Sequence, residues 1–451
     1  MSPWLATVVY AVGILGLFAL DRDRNARTSK ALWLPVVWML LAGSRPVSQW
    51  LGLRPPILSA EQYLDGSPLD RNILVGLIGA GVIVLLGRRE VGTLLRANSP
   101  VVAFFAYCAA SILWSDFPDV AFKRWIRAVG DLVMVLIILT DPDRPTAVKR
   151  FLARIGFLLM PASILLIKYY PDLGLGWWYG KTLFVGVAQD KNMLGMICLV
   201  SGLGCAWRLI ETLRGREGTR RAGPVIAQGA LLATGLLLLF RIDSMTSLAC
   251  FVLATGVMAT TSLPALTRKR AVAHISVAVV LCVAVATLFL DVGTEIVETM
   301  GRDSTLTGRT AIWRLLLSMN QHPLLGTGFE SFWLGDRLKT LWEFAWGLNE
   351  AHNGYLEVFL NLGWTGVAML AFVIATGYRN VVSAFRHDSE SLRLAYFATG
   401  VVYGVTEAAF RMGTPVWILF LVAIIAVPEA DASIVRSATL SQFRSRHLAV
   451  S

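Results

Sequence analysis

Charge is scarce in this sequence. Lys, Arg, Asp and Glu make up 16% of the 451 residues, against 55% hydrophobic residues, where soluble domains carry roughly 25% charge. Seventy-one charged side chains (41 basic plus 30 acidic) are too few to clothe a soluble enzyme of several domains, and the long apolar runs exclude a disordered chain. Cysteine is also sparse. Cys108, Cys198, Cys205, Cys250 and Cys282 all lie in apolar runs without a C-x-x-C spacing, so they read as small core residues and not as a redox or metal centre. No Walker-type Gly-rich loop occurs, which argues against ATP-driven transport. No cleavable signal is apparent: Pro3 to Leu20 lacks a basic start and a small-residue cleavage site, and it reads as a span.

What is abundant is apolar sequence in blocks close to the ~20 residues that cross a bilayer. Candidate spans are 3–20, 31–44, 71–87, 99–115, 125–140, 151–169, 191–210, 225–241, 244–263, 271–290, 353–379, 391–411 and 414–428. That is thirteen, and the count could fall to twelve or rise to fourteen because 31–44 is short and the last two are separated only by Met412 and Gly413. The expected fold is therefore all-α and polytopic. An N-terminal bundle over 1–290 is followed by an extracytoplasmic loop over 291–352, C-terminal spans over 353–428 and a tail over 429–451.

Charge placement gives the orientation. The loops 21–30, 88–98, 141–150, 208–223, 264–270, 379–393 and the tail hold 24 basic and 11 acidic residues, whereas the alternate set holds 16 of each. The basic set is expected in the cytoplasm. The net charge of +11 then needs no nucleic-acid partner.

The balanced side carries the chemistry-bearing motifs. Its long loop has a helix start near Ser304, the apolar run Ile312 to Met319, a stop at His322-Pro323 and a turn at Gly326-Thr327-Gly328. Phe332 to Trp346, with Trp333, Trp342, Phe344 and Trp346, reads as an amphipathic helix on the membrane surface. His352 stands at the mouth of a span, where a near-neutral imidazole could take a proton from a hydroxyl. Asn353, Glu357 and Asn361 share one helix face below it. Gly363 and Gly366 are spaced for close helix packing. Arg309 and Arg314 lie in the same loop, and guanidinium suits phosphate. Lys123 and Arg124 follow Trp114-Ser115-Asp116-Phe117-Pro118, with Arg127 and Asp131 spaced as a helix ion pair. Lys191 lies in Gln189-Asp190-Lys191-Asn192-Met193-Leu194-Gly195, and Arg241 precedes Ser244-Met245-Thr246-Ser247. Glu407 and Arg411 are also spaced as a helix pair. Each cluster alone has an ordinary structural explanation, but their convergence on one face fits an anionic, lipid-linked substrate. No acidic D-x-D or acidic pair accompanies them, so no metal or other cofactor is expected.

The motifs resemble those of the O-antigen ligase and polymerase superfamily. His352, Asn353, nine residues, Gly363, two residues and Gly366 match its H-[NSQ]-x9-G-x-x-[GTY] element. Gly308-Arg309 through Trp313 is similar to G-R-x-x-x-W, and His322-Pro323-Leu324-Leu325-Gly326 follows as in that family. Asp190 to Gly195 resembles H-K-N-x-L-G with Asp190 in place of His, which together with Trp114-Ser115 and Pro118 points to the exopolysaccharide-production branch. The resemblance implies a GT-C-type glycosyltransferase of the bacterial inner membrane, with its site facing the periplasm. It would move a glycan from undecaprenyl pyrophosphate without metal. His352 would be the general base and Arg309 the pyrophosphate ligand. Arg314, Arg241, Lys191, Arg124 and Lys123 are further pyrophosphate candidates, because the second arginine usual in an S-R-x-[AS] context is absent from Ser244 to Ser247. Expected partners are the lipid-linked oligosaccharide, membrane lipids and a chain-length regulator or flippase. Polymerisation of repeat units is the leading expectation and O-antigen ligation the close alternative. A glycan transporter would need charges along a midplane path, where only Asp131, Glu357 and Glu407 are available.

Overall fold

The computed structural model describes residues 1–23, 27–53, 66–178, 180–214, 222–242, 244–262, 271, 274–275, 277–279, 306–345, 347–384 and 390–427. The sequence segment 271–290, the start of the long loop, Cys282, Trp346 and the tail after 428 lie wholly or largely outside these residues.

The described chain is a bundle of helices: α1 (Pro3–Leu20), α2 (Trp33–Gly43), α3 (Pro68–Leu86), α4 (Val91–Ala97), α5 (Ser99–Ala110), α6 (Pro118–Leu139), α7 (Arg144–Tyr169), α8 (Lys191–Arg214), α9 (Ala222–Ile242), α10 (Met245–Thr261), α11 (Leu306–Ser318), α12 (Gly335–Phe344), α13 (Gly354–Ser383), α14 (Glu390–Thr406) and α15 (Pro415–Ile424). Among them α1, α3, α7, α8, α9 and α13 are each long and apolar enough to cross a membrane, and α4 with α5 makes a seventh candidate bent by 87°. An 18-residue helix such as α1 rises about 27 Å, close to the hydrocarbon thickness. One departure from all-α structure is a short antiparallel hairpin, β1 (Leu175–Trp178) with β2 (Lys181–Phe184).

Burial ranks the helices. The apolar window of α8 is 78% buried, whereas that of α1 is 6% buried. Thus α8 is the central post, and α1 presents Trp4, Val8, Val12 and Leu15 outward, as a lipid-facing helix does. One hydrophobic core joins α2 and α5–α10 to α13–α15.

Several spans differ from their sequence outlines. The segment 31–44 yields only the 11-residue α2, about 16 Å long. The segment 414–428 yields the 10-residue α15, every residue of which is buried. Neither crosses a bilayer alone. The C-terminal carbonyls of α15 instead receive polar partners inside the protein: Arg393 donates to Ala423 (2.8 Å) and Ile425 (3.2 Å), Asn380 to Ile424 (3.1 Å), and Asn98 to Ala426 (2.7 Å). Asn98 is also the hinge between α4 and α5, since its carboxamide donates to Leu94 (2.8 Å). Glu407 and Arg411 do not share a helix as their spacing suggested, because α14 ends at Thr406 and the next residues turn. Asp131 has Arg127 as a neighbouring charge but takes its hydrogen bonds from other elements. Its carboxylate accepts from Trp38 Nε1 (2.8 Å) and the Gly413 amide (2.7 Å), tying α6 to α2 and to the start of α15.

Beside the main core lies a smaller one, made by Leu316, Phe332, Trp333, Leu338, Leu341, Ala351 and Leu360. It folds α11 and α12 onto the upper part of α13. The aromatic segment Phe332 to Trp346 is therefore only partly a surface helix. Phe344 is exposed, but Trp333 is buried, because its indole has a partner within the protein.

Candidate active site

His352 is held by the residues on either side of it. Asn353 caps α13, its side-chain oxygen accepting from the Tyr355 and Leu356 amides at 3.0 Å each. Ala351 is clamped at both backbone groups. Its N–H donates to Glu357 Oε1 (2.5 Å), and its carbonyl accepts from Trp313 Nε1 (2.8 Å). Glu357 takes a second bond from Trp333 Nε1 (2.8 Å). Pinned this way, His352 adopts a left-handed backbone with φ +49°, and Glu330 nearby has φ +53°. Non-glycine residues seldom occupy that region and gather at functional sites when they do.

The imidazole faces two carboxylates. Its Nδ1 lies 3.0 Å from Glu350 Oε1 and 3.1 Å from Glu407 Oε2. Asn192 at the start of α8 donates to the same Glu407 oxygen at 3.4 Å. Arg411 bridges the neighbouring acids, with Nε 3.5 Å from Glu330 Oε2 and Nη1 3.8 Å from Glu350 Oε2. Arg124 from α6 donates to the Glu330 carbonyl. Glu330, Glu357, Phe410, Arg411 and Trp417 line a cavity directly beside this network. Burial alone would lower the His352 pKa. Hydrogen bonds and charge from Glu350 and Glu407 outweigh it and raise the value to about 10.

Chemically, Nδ1 is committed to the carboxylates, which leaves Nε2 as the nitrogen able to meet a substrate. The His side chain is 30% exposed. Glu350, His352 and Glu407 also offer three ligand atoms within 4.8 Å of one another, a set that could hold a cation. The Arg411 guanidinium beside Glu350 opposes a dication at the same place.

The other expected residues separate into groups. Arg309 lies in the first turn of α11, four residues before Trp313, but its side chain is outside the described residues. Arg314 is exposed on α11, Lys123 is exposed on α6, and Arg241 is exposed in the last turn of α9. None of these three reaches the His352 network. Lys191 begins α8, next to the Asn192 that contacts Glu407. The Ser244–Ser247 corner does come to the site's border: Ser247 lies 3.4 Å from the Tyr403 hydroxyl, and Thr406 donates to Thr246 at 3.2 Å. Asn353 and Glu357 serve as cap and clamp. Asn361 accepts from the Phe332 amide (3.0 Å). The polar stripe on α13 is thus answered largely by the folded loop, although Glu357 and Asn361 also border the cavity.

Gly363 does more than permit close packing. Its φ of +64° breaks α13 locally, and a Cβ there would sit 2.3 Å from the Leu324 carbonyl. The break lets the amides of Trp364 and Thr365 donate to Pro323 (2.9 Å) and Leu324 (3.2 Å), seating the His322–Gly328 segment against the span. Gly366 is likewise crowded, by Leu362.

Sequence reasoning missed Glu330 and Glu350 and treated Glu407 and Arg411 as a pair of their own. Glu350 was visible two residues before His352. Glu407 and Arg411 come from a turn 55 or more residues away, and no local pattern joins them to the histidine.

Comparison with known proteins supports the resemblance. Residues 230–371 match the O-antigen ligase family. The chain is also 27% identical over 305 residues to the exopolysaccharide production protein ExoQ of Rhizobium meliloti (strain 1021), covering 66% of this chain and 68% of that protein. The resemblance to the exopolysaccharide-production branch of this superfamily, and the multi-pass membrane fold, are both borne out. The segment matched to the family contains Arg309, Glu330, Glu350 and His352 and ends before Glu407 and Arg411.

Proposed function

We propose that this polytopic protein of the O-antigen ligase superfamily is a glycosyltransferase that joins undecaprenyl-pyrophosphate-linked repeat units into exopolysaccharide. In this reading it works at the outer face of the bacterial inner membrane and without metal. The observation that carries the proposal is His352, fixed at the mouth of α13 with Nδ1 on Glu350 and Glu407 and Nε2 left for an acceptor hydroxyl. As Nε2 takes the hydroxyl proton, the acceptor oxygen attacks the anomeric carbon, and the bond to the pyrophosphate breaks. Arg309 is assigned to the departing pyrophosphate, whose growing negative charge a guanidinium stabilises. Arg411 keeps Glu350 and Glu330 in place and offsets their charge.

The raised pKa of His352 favours a second role for the same side chain. With a value of about 10, the imidazole is almost wholly protonated at neutral pH and would act as a cation beside the pyrophosphate. The two roles differ in sign. A base requires activity to rise with pH toward about 10, and a cation requires it to fall there. O-antigen ligation, with lipid A–core as the acceptor, uses the same residues.

The decisive experiment supplies purified full-length protein with undecaprenyl-pyrophosphate-linked repeats, with and without a chelator. Chain growth that survives the chelator and vanishes in His352→Ala and Arg309→Ala is the expected result. Full growth in correctly inserted variants overturns the catalytic assignment. Growth abolished by the chelator overturns the metal-free mechanism and favours the cation set at Glu350, His352 and Glu407. In cells, loss of the gene should leave short lipid-linked repeats; long polymer stranded on undecaprenyl would indicate ligation.

A further inference from the structure

At the other end of the bundle lies a second recess, a basic one. It opens between the end of α1, the turn after it and the first half of α7, and is lined by Phe18, Arg22, Asp23, Arg150, Arg154 and Phe157 among others. Along α8 it lies level with Arg208, sixteen residues from Asn192, so about 24 Å separates it from the His352 network. Its volume is about 180 Å³, far beyond the ~10–15 Å³ that one water needs.

The charges in the recess are unequally satisfied. Asp21 is engaged by Arg208 (2.8 Å) and Gln228 (3.3 Å), which removes it as a counter-ion. Arg150 is turned by bonds to Thr28 Oγ1 (2.5 Å) and the Asp23 carbonyl (2.8 Å), both neutral acceptors. Arg154 packs its guanidinium over Trp33, 4.2 Å from the ring centre. Its Nη1 is buried with no hydrogen-bond partner among the described residues. A buried guanidinium N–H without an acceptor is costly, and stacking on an indole face satisfies none of its donors. Among the described lining residues, the three cations Arg22, Arg150 and Arg154 face two acids, Asp21 and Asp23. The opposite wall is apolar, with the Phe18 and Phe157 rings edge-to-face at 5.4 Å. A cationic rim over an aromatic floor at a membrane boundary suits a group that is anionic at one end and apolar at the other.

We propose that this recess binds a phosphate group, with Arg154 Nη1, Arg150 and Arg22 as its donors and the Phe18–Phe157 wall against the attached apolar portion. An anionic phospholipid headgroup presents this chemistry. Free phosphate presents the charged part alone.

The test uses the full chain in nanodiscs and follows unfolding temperature by tryptophan fluorescence. One set of discs is phosphatidylcholine, one contains 30% phosphatidylglycerol, and one is phosphatidylcholine with 5 mM inorganic phosphate. The wild type is expected to gain several degrees in phosphatidylglycerol, and Arg154→Gln and Arg22→Gln to lose most of that gain. Arg22 is exposed, so its variant folds even if Arg154→Gln does not. Arg96→Gln, exposed in the last turn of α4, keeps the gain. An Arg22-dependent shift with inorganic phosphate as well assigns the site to the phosphate alone, and a shift confined to phosphatidylglycerol assigns it to the lipid. No shift in either set, or an equal shift in the wild type and all variants, overturns the proposal. Because no glycosyl transfer is read, the outcome is independent of the chemistry at His352.

Discussion

His352 donates from Nδ1 into a pair of carboxylates, so its reactivity is set by residues that touch no substrate. Glu407 is the better buried of the two, with its side chain 6% exposed. Glu407→Gln removes a full negative charge at 3.1 Å from Nδ1 while keeping a hydrogen-bond acceptor. The His352 pKa should fall from about 10 toward its ordinary value. If the imidazole is the base, the alkaline-rising limb of the rate–pH curve moves to lower pH, and activity at neutral pH increases relative to the plateau. An unmoved limb would detach Glu407 from the chemistry. Stability carries the same linkage. A pKa raised by folding stabilises fully below the unfolded value near 6.5, and that contribution is lost as pH rises through about 10. Much of this centre was legible in the sequence. His352, Asn353 and Glu357 announce themselves as polar residues at the start of an apolar run. The acids that tune the histidine, Glu350 and Glu407, were not legible as a set, because Glu407 approaches it only through tertiary packing.

Among the elements, α13 is the one whose interruption matters most. Gly363 adopts φ +64° and ψ −168°, a combination essentially reserved for glycine. Gly363→Ala therefore combines backbone strain of about 1–3 kcal/mol with a collision against the Leu324 carbonyl. The expected outcome is a lower unfolding temperature together with loss of polymer formation, since the 322–328 segment that carries Glu330 onward into the site is displaced. Gly79→Ala is the matched control: a Cβ there meets nothing within 4 Å, and alanine favours the helix. Equal behaviour of the two variants would remove the claim that the break seats the loop. The spacing of Gly363 and Gly366 in sequence suggested packing but not the break, because helical periodicity does not encode a residue that leaves the helix. A related gap affects α15. Its composition reads as a span, whereas its ten residues and polar C-terminal partners make it an interior helix.

For the whole molecule, the distribution of charge predicts topology. The basic loops are expected inside and the His352 face outside, which single-cysteine labelling can check. The described native cysteines, Cys108, Cys198, Cys205 and Cys250, are buried and free and give little background once Cys282 is replaced by Ser. In intact spheroplasts an impermeant maleimide should modify Lys339→Cys, whose parent side chain is half exposed, and should spare Arg96→Cys until the membrane is opened. The reverse pattern would invert the molecule. The bundle class and the boundaries of the long helices were legible from hydropathy, because burial in lipid and burial in protein both select apolar residues. That same equivalence hid which apolar helices face lipid and which face other helices. The turn carrying Glu407 and Arg411 has one more consequence, in the order of synthesis. The ribosome makes His352 more than fifty residues before its second carboxylate and the bridging arginine. A chain still emerging thus inserts its helices with an incomplete centre, and the capacity to react is acquired only when the final hairpin has been laid into the bundle.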